Sequence, residues 1–111
     1  MAEVFVLVVE VGRRKGDGLP DGATGAALVC LATGKDEAEA VRETVAVLKR
    51  ADLAPLDVTG YGTPEAAAGA GLDLGADVAP LVERARAENA VIVVETTVFR
   101  GGDLPDGGGP R

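Results

Sequence analysis

The amino-acid sequence predicts an α+β protein, a two-layer α/β sandwich in which two helices cover one face of a four-stranded mixed sheet. The chain has 111 residues, which is the length of one domain, and 47% of them are hydrophobic, which is enough for a core. Four apolar runs have the length of strands and two amphipathic segments have the length of helices. We place the domain at residues 1–100, because the Gly- and Pro-rich composition of 101–111 predicts a disordered tail.

The first two strands are predicted from apolar runs without alternation. Residues 3–12 read EVFVLVVEVG and residues 25–33 read GAALVCLAT. A half-exposed strand would alternate apolar and polar residues, so both runs predict strands that are buried on both faces. Residues 12–24, with four glycines and a proline, predict a solvated loop that joins the two strands as an antiparallel hairpin.

The first helix is predicted at residues 36–50. Apolar residues recur there at helical spacing and form one stripe: Ala38, Val41, Val45 and Leu48. Asp36 and Glu39 have the spacing of a capping box, in which the Asp36 carboxylate accepts a backbone N–H of the first turn.

The third strand is predicted at residues 53–61, where Leu56 and Val58 alternate with polar residues. Residues 63–75 are rich in Ala and Gly. There Pro64 can open a short helical turn that the glycines would fray, or a short strand lies within 59–71.

The second helix is predicted at residues 77–89, with Asn89 as its C-cap, and the fourth strand at 91–99. The resulting order is β-β-α-β-α-β, a variant of the ferredoxin-like arrangement. Its two β-α-β crossovers predict parallel strand pairs within the sheet.

A candidate ligand-binding site follows from this topology. If strands two, three and four are parallel, their carboxyl ends meet at one edge of the sheet, where open α/β sheets bind ligands. That edge would bring together Lys35, Tyr61, Thr63 and Arg100. The two cations favour a small anionic ligand.

Homodimerisation is predicted from the excess of apolar residues on the strands. Strands one, two and four are apolar on both faces, but two helices on one face can shield only one of them. A second copy packed through the helix-free sheet face would cover the other. The alternative is that the long loop and the tail cover this face.

Charge and composition exclude several classes of function. The net charge is −7, and the basic run is three residues long, Arg13-Arg14-Lys15, so we expect no binding to nucleic acid or to an anionic membrane. The first residues lack the positive charge of a secretory signal, and the lone cysteine fits a reducing compartment, so the expected location is cytoplasmic. Without histidine, the chain offers no recognisable catalytic, metal or cofactor site.

Three residues with reactive groups lie inside the predicted strands. Cys30 is expected to be a buried structural residue, because no histidine is present to act as its base. Glu10 and Glu95 could do acid–base chemistry as a buried pair, but the more common role for such residues is to mark a strand end or a solvent-facing position.

The sequence of residues 25–32 (GAALVCLA) and 36–40 (DEAEA) resembles a pattern in small uncharacterised bacterial α/β proteins, where a similar strand runs into an acidic, Ala-rich helix. The resemblance implies the order β-β-α-β-α-β and carries no known activity. The chain departs from the pattern because its second strand lacks aromatic residues and its last strand ends Thr96-Thr97-Val98-Phe99 without His or Trp.

Together these features favour a non-enzymatic homodimer that acts as a binding or protein-interaction module. The alternatives are a stand-alone regulatory domain that binds a small molecule, and a small dimeric enzyme of ferredoxin-like type.

Overall fold

The predicted strands and the two longer helices are confirmed to within two residues at each end. The computed structural model describes residues 3–75 and 77–100. In chain order the elements are β1 (Glu3–Gly12), β2 (Ala23–Gly34), α1 (Glu37–Arg50), β3 (Ala54–Gly60), α2 (Pro64–Gly69), α3 (Val78–Glu88) and β4 (Val91–Arg100). The short helix α2 changes the order to β-β-α-β-α-α-β. The predicted disordered tail, 101–111, lies outside the described residues.

The ends of the two longer helices follow the predicted capping chemistry. The Asp36 carboxylate accepts the Glu39 N–H at 2.8 Å, and the Glu39 carboxylate accepts the Lys35 N–H at 2.9 Å. These two bonds satisfy backbone donors that the first turn of α1 leaves unpaired. At the end of α3, Asn89 adopts the left-handed conformation, with φ of 50°. Asparagine tolerates this conformation better than most residues, which is why it ends the helix.

The sheet is antiparallel throughout, with the order β3-β1-β2-β4, so the prediction of a mixed sheet with parallel pairs is wrong. The predicted β1–β2 hairpin is confirmed and forms the centre of the sheet. Strands β2 and β3 do run in the same direction, but β1 lies between them. The connection from β3 to β4 contains two helices instead of one. Strand β4 therefore begins at the end of the sheet where β3 ends, and it runs antiparallel to β3.

The core lies on both faces of the sheet, because side chains alternate between the two faces of a strand. One set of β1 residues packs under α1; this side contains Phe5, Leu7, Val9, Val11, Ala40 and Leu48. The other set packs under α2 and α3; this side contains Val4, Val6, Leu31, Ala67 and Ala85. We call the two sides the α1 face and the α2–α3 face. The prediction that both helices cover the same face of the sheet is therefore wrong, and the architecture has three layers.

Helices α2 and α3 cover only part of their face. From the level of Val8 onward, the same face carries exposed polar side chains on β1, β3 and β4: Glu10, Asp57, Thr59, Glu95 and Thr97. We call this region the uncovered half-face. The sheet has no face that is entirely free of helices, so the apolar excess on which the dimer prediction rested is largely buried within one chain.

Candidate functional site

The four predicted site residues do not form one site. The backbone segments that carry Lys35, Tyr61 and Thr63 follow the carboxyl ends of β2 and β3, at one end of the sheet. Arg100 pairs with Ala23, at the other end of β2. The length of β2 separates Arg100 from the other three residues; its twelve residues span eleven steps, or roughly 36 Å at 3.3 Å per step. The grouping was wrong because β4 runs antiparallel to β2.

Structural contacts explain two of the three residues that share an end of the sheet. Tyr61 is half-buried against the core of the α2–α3 face, and its N–H donates to the Val6 carbonyl at 2.9 Å. The Thr63 hydroxyl accepts the Ala66 N–H at 3.2 Å and caps α2. Lys35 is exposed, and with Arg100 distant it is the one cation of the predicted set at this end.

Glu37 fixes the position of α1 relative to the segment that follows β3, and the sequence pattern does not predict this contact. Its carboxylate accepts the Gly62 N–H at 2.9 Å, which joins the first turn of α1 to the segment between β3 and α2. The same carboxylate lies against the backbone of Gly60, where a Cβ atom would overlap it. The glycine at position 60 was the available signal, because close packing of this kind requires the absence of a side chain.

A groove lies between α2 and α3. Its volume is about 250 Å³, and it is lined by Pro64, Glu65, Val78, Ala79, Val82, Glu83 and Arg86. The two helices approach the sheet through small residues, since Ala67 and Ala85 are their fully buried side chains. The half-buried side chains of Pro64, Val78 and Val82 line the space between the two helices, and we call this space the α2–α3 groove.

The charges around the α2–α3 groove are unequal. Arg86 donates to the Glu83 carboxylate at 2.8 Å and is thereby paired. Glu65 makes no ion pair with the described residues. The rim therefore carries two negative charges and one positive charge, while Pro64 and Val82 give the wall an apolar character.

The loop between β1 and β2 is organised by one ion pair. Arg13 and Asp17 approach to 3.0 Å, and the Asp17 side chain is only 3% exposed. Asp17 also accepts the N–H groups of Arg14 and Leu19 at 2.9 and 3.0 Å. These backbone donors, together with the Arg13 guanidinium, hold the pKa of Asp17 below its usual value. The carboxylate therefore acts inside the loop and is not presented to a ligand.

Cys30 is buried, as predicted, and burial raises the pKa of its thiol to about 12. A thiol in that range is protonated at neutral pH and is a poor nucleophile. Glu10 and Glu95 are both exposed, which agrees with the solvent-facing interpretation. Across residues 3–75 and 77–100, no three acidic or cysteine side chains are placed to hold a metal ion, and no helix is long and apolar enough to cross a membrane.

Comparison with known proteins gives one match. Residues 4–100 match the family described as Domain of unknown function (DUF8846). The chain belongs to this family. No curated protein and no solved structure gives a significant match. The family match does not identify the specific group of proteins that residues 25–40 resemble.

The family domain runs from β1 to β4, so the α2–α3 groove and both edges of the sheet belong to it. The two edge strands differ. The β3 edge is seven residues long, contains Pro55, and has a register shift in its pairing with β1. The β4 edge is ten residues long and contains no proline. Its ladder with β2 has two register shifts, one near Val94 and one between Phe99 and Arg100, and residues 95–99 are the regular stretch between them.

Proposed function

We propose that this chain is a homodimeric, non-enzymatic binding module in which two copies pair through their β4 edges. The observation that carries the proposal is the unprotected regular stretch 95–99 at the edge of the sheet. An edge strand presents unpaired backbone N–H and C=O groups, and proteins that remain monomeric usually block such edges with proline, bulges or lysine. The β3 edge contains Pro55 and a register shift, whereas β4 contains no proline and residues 95–99 pair regularly with β2 between the two shifts of their ladder. The buried, unpaired thiol of Cys30 is compatible with a cytoplasmic location.

Symmetry makes the pairing specific. When two identical strands pair antiparallel, the two-fold axis passes through the centre of the paired segment. For residues 95–99 the centre is Thr97, which then lies opposite Thr97 of the second copy, while Glu95 lies opposite Phe99. This register keeps the carboxylates apart, and it provides the cross-strand Thr–Thr pair that sheets favour. The strand contact is short, so we expect a dimer that dissociates in the micromolar range.

The test uses two exposed threonines on the same face of the sheet, one on each edge strand. Thr97→Lys would place two like charges opposite each other at the proposed axis, and Thr59→Lys adds the same charge to the β3 edge. Size-exclusion chromatography with light scattering gives the molar mass as a function of concentration. We expect wild type and Thr59→Lys to dimerise and Thr97→Lys to remain monomeric.

A mixing experiment separates loss of pairing from loss of folding. Thr97→Glu should also be monomeric alone, and an equimolar mixture with Thr97→Lys should recover the dimer, because the opposed charges then attract. If both lysine variants dissociate, the dimer forms through the uncovered half-face, where Thr59 and Thr97 both lie, and the β4 edge is not the interface. A wild-type monomer at high micromolar concentration would overturn homodimerisation altogether.

A further inference from the structure

We infer that the α2–α3 groove binds a small organic cation with an apolar body, such as a primary amine on an aromatic or aliphatic group. The inference rests on the binding role proposed above and names a ligand class for it. It does not depend on the dimer, because all residues of the groove belong to one chain and lie on α2 and α3.

The shape of the groove follows from how the two helices pack. Ala67 of α2 and Ala85 of α3 are fully buried and form the close contacts with the sheet. The next residues outward, Pro64, Val78 and Val82, are half-buried and form apolar walls that remain accessible. An apolar group that enters the groove removes this surface from water, which supplies the affinity.

The charges of the rim select the sign of the ligand. The guanidinium of Arg86 donates to Glu83 at 2.8 Å, so its positive charge is offset within the rim, whose net charge is negative. Glu65 has no ion-pair partner among the described residues and lines the same groove. A cation can form an ion pair with the Glu65 carboxylate without breaking an existing ion pair among the described residues. The chain's net charge of −7 produces a negative potential, which also favours a cation over an anion.

The size of the groove limits the ligand. Its volume of about 250 Å³ lies just below the usual range for pockets that hold drug-sized molecules. A single ring or a short alkyl chain with one ammonium group is enough to fill this space. The ligand class is therefore a small amine and not a large cofactor.

Amide NMR titration tests the inference with three probes that share a ring and differ in charge: benzylammonium, benzyl alcohol and phenylacetate. We expect benzylammonium to bind most tightly and to shift the amides of α2 and α3. Glu65→Gln should weaken benzylammonium about two- to five-fold, the range of a solvent-exposed ion pair. Glu43→Gln is the matched control, because Glu43 is an exposed carboxylate on α1, on the opposite side of the sheet.

A filled groove provides the second variant. Ala79 is exposed and lines the groove, so Ala79→Leu should occupy the space without disturbing the core, and it should abolish the shifts. The titration repeated on Thr97→Lys separates this inference from the dimer: binding that persists in the monomer supports the groove whatever the oligomeric state. Equal or tighter binding of phenylacetate, shifts outside α2 and α3, or no shifts at millimolar benzylammonium would each overturn the inference.

Discussion

Thr44 carries an unsatisfied hydroxyl in the centre of the α1 face. It is fully buried on α1, and its Oγ1 has no hydrogen-bond partner among the described residues. Burying an unpaired polar group costs about 1–3 kcal/mol, and valine has the same shape without the hydroxyl. Valine and threonine have similar helix propensities, so the backbone contributes little. We expect Thr44→Val to raise the free energy of unfolding by about 1 kcal/mol, the lower end of that range.

Thr33 is the matched control for this substitution. It is also buried, but its hydroxyl donates to the Ala85 carbonyl at 2.9 Å and ties β2 to α3. Thr33→Val removes that bond and should cost about 1 kcal/mol. The Ala85 carbonyl still accepts the Ala90 N–H at 3.0 Å, so no larger penalty arises.

Thermal and urea unfolding, followed by circular dichroism at one protein concentration, measure both variants. A change of 1 kcal/mol in a domain of this size shifts Tm by about 4–8 °C, so the two variants should move in opposite directions by amounts that are easily resolved. Destabilisation of Thr44→Val by as much as Thr33→Val would refute the reasoning, because it would mean that the Thr44 hydroxyl is bonded.

Three further expectations concern other parts of the fold. Asn89→Ala should destabilise the protein by about 1–2 kcal/mol in chemical unfolding, whereas Asn89→Gly should not, because residue 89 is left-handed with φ of 50°. Because the pKa of Asp17 is lowered in the folded protein, the ionised carboxylate stabilises the fold above the ordinary carboxyl pKa of 3.8, and this stabilisation is lost as the pH falls below that value. Asp17→Asn should remove this part of the acid dependence when the free energy of unfolding is measured against pH. Alkylation of Cys30 by iodoacetamide should be slow in buffer and fast in urea, since its thiol is buried with a pKa of about 12, and rapid labelling in buffer would contradict that burial.

The elements could be predicted because their signals are local. The valine-rich run of β1, the Asp36–Glu39 cap of α1 and the C-cap at Asn89 each lie within a few residues of the structure they specify. Helix α2 had such a signal too, since Thr63 is its N-cap and Pro64 occupies its first turn, but the neighbouring glycines obscured it.

The arrangement of those elements depends on contacts that the local pattern does not contain. The connection from β3 to β4 contains α2 as well as α3, and β4 runs antiparallel to β2, which places Arg100 at the far end of the sheet. The apolar residues on both sides of β1 predict a surface for a second chain, but Val4 and Val6 are covered by α2 and α3. The Glu37–Gly62 hydrogen bond spans 25 residues and could not be inferred from spacing.

Hydrogen exchange of the β4 amides tests the central claim, pairing through the β4 edge, most directly. In a monomer the outward N–H groups of residues 95–99 face water and exchange rapidly, whereas in the dimer they are bonded to the second copy. We expect these amides to be protected at high micromolar concentration and to lose that protection on dilution, while the edge amides of β3 (Ala54–Gly60) exchange equally at both concentrations. Rapid exchange of the outward β4 amides at every concentration would contradict the proposed dimer.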